Sequence, residues 1–225
     1  MSAATASVFA QEALESAADS SKAAPMAAYM KTEMPFYGVQ KAGRTKITRE
    51  LVRRFPPPDR NAYRDTVLSL WTLPHREEKY LAIAYARAFD RYVDSESVPL
   101  FRQLIVEGAW WDFVDEIATK LVAVALAKQP RDVTRTMVRW ITDDDMWLRR
   151  TSIICQLGRK EETDTDLLAN ACVKNIDDTD FFIRKAIGWS LREYAKTDPE
   201  WVRRFVVSHQ DEMSGLSIRE ATKHL

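Results

Sequence analysis

The chain has 225 residues, with 33 Lys and Arg balanced by 33 Asp and Glu, a formal net charge of +0. With 46% hydrophobic and 29% charged residues the composition is that of a soluble globular protein, so any nucleic-acid binding must come from uneven placement of charge rather than excess. Nothing reaches the roughly 18 consecutive apolar residues needed to span a bilayer. The Ala/Ser-rich start lacks the basic and continuous apolar regions of an export signal, so a cytoplasmic location and no membrane partner are expected.

Alternation of β-branched and polar residues is almost absent and glycines number only 6, which reads as an all-α chain. Periodicity and breakers suggest helices at 5–19, 25–33, 41–54, 60–71, 75–91, 96–107, 110–128, 131–141, 145–158, 164–174, 180–195, 198–208 and 217–225. Pro25, Pro74, Pro99, Pro130 and Pro199 sit near proposed helix starts, where a missing N–H is harmless. Lys41, Arg44, Lys46, Arg49, Arg53, Arg54 and Arg60 outnumber Glu50 and Asp59, a local excess that suits phosphate but is also the pattern of a solvated face. Further on, Trp110-Trp111-Asp112-Phe113-Val114-Asp115 places two indoles and two carboxylates within six residues. Trp111 and Asp115 are one helical turn apart and share a face. A core Trp beside a surface carboxylate is the plainer reading of that stretch.

An internal echo suggests the architecture. Asp145-Met146-Trp147-Leu148-Arg149-Arg150 aligns with Asp180-Phe181-Phe182-Ile183-Arg184-Lys185, 35 residues later, and Ala109-Trp110-Trp111-Asp112-Phe113-Val114 aligns less fully 36 residues before Asp145. Degenerate two-helix repeats point to a HEAT-like solenoid with a concave groove, although that class usually repeats every ~40–47 residues. A plain helical bundle is the alternative. Arg149, Arg150, Arg184, Lys185, Arg192, Arg219 and Lys223 recur on successive repeats as a basic track. In the last full repeat Lys185, Trp189 and Arg192 form one stripe of a helix. Gly188 in the same run costs about 1 kcal/mol relative to Ala and is tolerable if something must approach the backbone closely. Ser217-Ile218-Arg219-Glu220 has capping-box spacing and opens the last helix. Cys155 and Cys172 lie in apolar helical runs and read as reduced, buried thiols. With only His75, His209 and His224, and no phosphate loop or nucleophile elbow, no metal and no cofactor are expected.

The Trp110–Asp115 stretch, Met146-Trp147-Leu148-Arg149-Arg150 and the run from Phe181 to Lys196 together resemble the AlkD-like DNA alkylation repair family of HEAT-repeat DNA glycosylases. The likeness extends from about Pro25 through Leu70-Trp71-Thr72-Leu73-Pro74-His75-Arg76-Glu77 to Ser217–His224, within one all-α domain over 1–225 whose first 24 residues supply an N-terminal helix. The resemblance implies hydrolysis of the N-glycosidic bond of positively charged N3- and N7-alkylated purines, 3-methyladenine and 7-methylguanine, in duplex DNA. It implies that Asp115 is the catalytic carboxylate, that Trp111 and Trp189 flank the lesion's sugar, that Arg150 lies near the adjacent phosphate, and that Tyr29 and Arg192 touch DNA. Lys185, Arg149, Arg219 and Lys223 would extend the DNA-binding track. The expectation is a monomer, nucleoid-associated when on DNA; the alternative is a non-catalytic HEAT-like scaffold binding damaged or branched DNA.

Overall fold

The computed structural model describes residues 3–225, and among them every regular element is helical. The chain forms two compact units, the first ending at Val93 and the second running from Asp94 to Leu225.

The N-terminal unit contains α1 (Ala3–Ser16), α2 (Ser20–Met30), α3 (Lys41–Arg54), α4 (Arg60–Trp71) and α5 (Arg76–Ala88). Leu14, Leu51, Tyr63, Leu70, Leu81 and Tyr85 are fully buried where α1, α3, α4 and α5 meet. Helix α2 starts earlier than its sequence suggests, so Pro25 lies inside it rather than at its start. The reason is Asp19, whose side chain accepts the Ser21 N–H at 3.1 Å and caps an additional turn. Between α2 and α3 the backbone is secured by the fully buried Glu77, whose carboxylate accepts the N–H groups of Tyr37, Gly38 and Val39 at 3.1, 2.9 and 3.0 Å. A buried carboxylate is tolerable because those bonds replace water.

The second unit is a succession of helix pairs, a helical-repeat fold. Its elements are α6 (Val98–Gly108), α7 (Trp111–Ile117), a π-helical turn (Ala118–Val122), α8 (Ala123–Lys128), α9 (Pro130–Trp140), α10 (Met146–Ile154), α11 (Thr165–Val173), α12 (Phe181–Tyr194), α13 (Pro199–Ser208) and α14 (Gly215–Ala221). Helix α10 packs on α7, α12 on α10, and α14 on α12, so the second helices of successive pairs stack in chain order. Pro99, Pro130 and Pro199 open their helices as expected.

The echo in the sequence is an echo of caps. Asp145 accepts the N–H groups of Trp147 and Leu148 at 2.8 and 3.2 Å, and Asp180 does the same for Phe182 and Ile183 at 2.6 and 3.4 Å. The matching residue one repeat earlier is Trp110, not Ala109: Ala109 follows the end of α6 in the left-handed region at φ 37°, and Trp110 immediately precedes α7 as Asp145 and Asp180 precede α10 and α12. The spacing is therefore 35 residues there too. At the other end the capping residue of α14 is Ser214, whose Oγ accepts the Ser217 N–H at 3.0 Å. Ser217 lies within the helix and donates instead to the Arg184 carbonyl at 3.0 Å, so the expected capping box does not form. Cys155 and Cys172 are free and fully buried.

Candidate active site

Trp111 is the first residue of α7 and Asp115 the fifth, which puts the indole and the carboxylate on one face, a turn apart. The helix that the sequence suggests as continuous from 110 to 128 is interrupted by the π-helical turn that begins at Ala118, after the end of α7 at Ile117. Thr119 Oγ1 donates to the Asp115 carbonyl at 2.7 Å inside that interruption. Such insertions rotate the residues around them and are common where a helix must aim a functional group.

Arg150, on α10, is what Asp115 meets. Its Nε–H and Nη2–H donate to Oδ1 and Oδ2, each at 2.8 Å, and Nη1 donates to the Phe182 carbonyl at the start of α12. Three successive repeats thus converge on one guanidinium. The Arg150 side chain is 6% exposed and that of Asp115 19%, so the carboxylate is the member that faces solvent. Burial pushes the Asp115 carboxyl above its ordinary value of 3.8, while Arg150's hydrogen bond and charge pull it back and the Asp112 carboxylate adds to the rise. The likeness to known enzymes placed Arg150 beside a phosphate; here its three nitrogens are directed at Asp115 and Phe182.

An aromatic cluster backs the pair. The rings of Trp110, Trp147 and Phe182 lie 5.0 to 6.2 Å apart, and Phe182 also carries the exposed Phe181 edge-on at 5.4 Å. Trp111 and Trp189 are both half-buried, so each keeps part of its surface available. Trp189 shares its face of α12 with Lys185 and Arg192, and both of those cations are held by Glu220 of α14. A Cβ on Gly188 would stand 2.4 Å from the Glu220 Cβ and 3.0 Å from the Ser217 carbonyl. The close approach that would justify a glycine in this helix is therefore α14.

The remaining expected residues are dispersed. Arg149 is tied to Asp178 at 3.0 Å and to the Asp143 and Asp144 carbonyls at 2.8 and 3.1 Å. Arg219 and Lys223 are exposed at the end of the second unit, and Tyr29 is 72% exposed in the N-terminal unit. Glu220 escaped sequence reasoning as a partner of the basic stripe. A signal existed: Asp115, Arg150, Lys185 and Glu220 follow one another at 35 residues, the repeat length itself. No group of three or more metal-ligating side chains occurs among the described residues, nor is any of their helices long and apolar enough to cross a membrane.

Comparison with known proteins identifies the family and the fold. The sequence model of a family described as DNA alkylation repair enzyme matches residues 10–225. A solved structure, "Predicted DNA alkylation repair enzyme from Enterococcus faecalis", is similar at 31% identity and a TM-score of 0.85, over 92% of this chain and 96% of that one. No curated protein sequence matches.

Proposed function

Because the chain belongs to the DNA alkylation repair enzyme family, we propose that it is a DNA glycosylase that hydrolyses the N-glycosidic bond of cationic N3- or N7-alkylated purines in duplex DNA. The observation that carries this reading is Asp115: a carboxylate in a largely dry setting, fixed at both oxygens by Arg150, one turn from a half-exposed indole.

An N-alkylated purine already bears a positive charge and leaves as a neutral base, so bond cleavage needs no general acid. What develops is an oxocarbenium-like sugar, and a carboxylate is the group to set beside it. Each Asp115 oxygen accepts one bond from Arg150 and keeps further lone pairs for substrate. One would face the sugar cation and the other would orient the attacking water. Arg150, in this reading, is the residue that fixes the rotamer of Asp115 before substrate arrives. Trp111 and Trp189 supply cation–π attraction of about 0.5–2 kcal/mol each and exclude bulk water. Phosphates are met by the exposed cations Arg219 and Lys223 and by the Lys185–Arg192 stripe, so affinity should fall with salt by about 0.9 in log K per log salt for every phosphate neutralised.

The decisive experiment incubates the purified protein with duplex containing 7-methylguanine or 3-methyladenine and measures released base over time. Release with turnover is expected. Binding to the duplex without any release would instead favour a non-catalytic DNA scaffold.

A further inference from the structure

Positions 115, 150, 185 and 220 lie at intervals of 35 residues on α7, α10, α12 and α14, and they carry the charge pattern acid, base, base, acid. The two ends close into pairs: Asp115 with Arg150, and Glu220 with Lys185 at 2.8 Å. The second pair differs from the first in having a third member, because the other Glu220 oxygen accepts from Arg192. One carboxylate thus holds both cations that flank Trp189 on its face of α12.

These contacts are only partly covered. The Lys185 and Arg192 side chains are 37% and 22% exposed, and Glu220 19%. A three-charge network of this kind steadies α14 on α12, and its remaining exposure leaves all three groups within reach of a competing anion. Its chemistry has a close analogue, since two oxygens sharing one negative charge between a lysine and an arginine is also how a DNA phosphodiester is held.

We propose that Glu220 is an internal stand-in for a DNA phosphate. It keeps Lys185 and Arg192 extended beside Trp189 in the free protein and surrenders them to the backbone when duplex arrives. The inference rests on the DNA-binding reading above and adds a determinant of affinity to it. Duplex must displace Glu220 to gain two phosphate contacts, so the protein's hold on the DNA backbone is weakened.

The test measures binding to undamaged duplex by fluorescence anisotropy between 50 and 200 mM salt, with thermal melting of each variant. Glu220→Gln is expected to bind roughly tenfold more tightly at 0.1 M salt, with a salt slope close to that of wild type because the same two phosphates are contacted in both complexes. Glu220→Asp, which keeps the charge, should retain the wild-type affinity. Lys185→Gln, which leaves α14 its Arg192 contact, should lose about 0.9 of the slope. Affinity in a folded Glu220→Gln variant that is unchanged or weaker overturns the proposal and makes Glu220 a simple clasp. Should Glu220→Gln melt far below wild type, the Lys185→Gln slope decides, and no change in it overturns the proposal. A wild-type protein that neither binds duplex nor releases base sinks the functional reading, whereas normal binding and excision with a failed Glu220→Gln result sinks only this inference.

Discussion

Replacing Asp115 by Asn keeps the shape of the side chain and removes its charge, and the structure changes how much that should cost. A lone carboxylate about 4 Å from the sugar cation, at an effective dielectric near 20, would attract it by about 4 kcal/mol. Arg150 lies behind the carboxylate, and at about 8 Å its repulsion returns roughly 2 kcal/mol. The pair therefore supplies a net of about 2 kcal/mol, but Asp115→Asn leaves the Arg150 repulsion in place, so the whole attraction of about 4 kcal/mol is lost, roughly a thousandfold in rate. Single-turnover excision of 7-methylguanine should fall by about that factor in Asp115→Asn, and further if an oriented water is lost with the charge. The same change puts an amide N–H where one carboxylate oxygen accepted from Arg150, which leaves a nearly buried donor unmet at a cost of about 1–3 kcal/mol in stability. Adding Arg150→Met to Asp115→Asn removes the orphaned cation and should recover melting temperature, while excision rises only to about thirtyfold below wild type, the net worth of the pair. Full activity in folded Asp115→Asn, or in the double variant, would refute an electrostatic role. The pH dependence follows the same group. Its native pKa is raised, so the folded protein holds this proton more tightly than the unfolded chain does. Stability from Asp115 therefore falls as pH rises through the window above 3.8, whereas excision rises there as the carboxylate forms.

Trp111→Ala and Trp189→Ala should each lower excision roughly tenfold, the rate equivalent of a cation–π contact, in single-turnover assays. If both instead melt far below wild type and keep full activity per folded molecule, the indoles are packing groups. Uracil in duplex DNA should persist through long incubation, because uracil leaves as an anion that Asp115 would oppose; measurable uracil release contradicts a site without a general acid. Gly188→Ala should lower the melting temperature although Ala is the better helix former by about 1 kcal/mol, since its Cβ would collide with Glu220 and Ser217 at a cost of about 1–3 kcal/mol. A rise in melting temperature would show that α14 moves away freely.

Much of the helical framework was legible because its signals are local. Asp145 and Asp180 stand before apolar, helix-period runs, and the structure uses both as caps. Gly188 could be read from one dimension as a point of close approach, but not which element approaches, since that depends on contacts 29 and 32 residues away. Pro25 misled for a related reason: proline marks a helix start on average, and the cap at Asp19 outweighed it here. The π-helical turn after Asp115 has no sequence signature, because Ala118-Thr119-Lys120-Leu121-Val122 continues an ordinary α pattern. Arg150 and Glu220 show the larger gap. Composition and spacing identify charged residues on a face, but whether a cation faces a phosphate or an internal carboxylate is settled by how neighbouring repeats stack.

The burial of the two thiols bears on the protein's own survival. Methylating agents that modify purines also attack thiolates, and attack depends on access and on the thiolate fraction. Cys155 and Cys172 offer neither: both are enclosed, and burial pushes each thiol up to about 12. The chain carries only these 2 cysteines, so it presents no accessible thiol to intercept an electrophile, nor one able to accept an alkyl group from DNA and be spent in doing so. Both thiols would thus stay unmodified under conditions that alkylate purines in DNA.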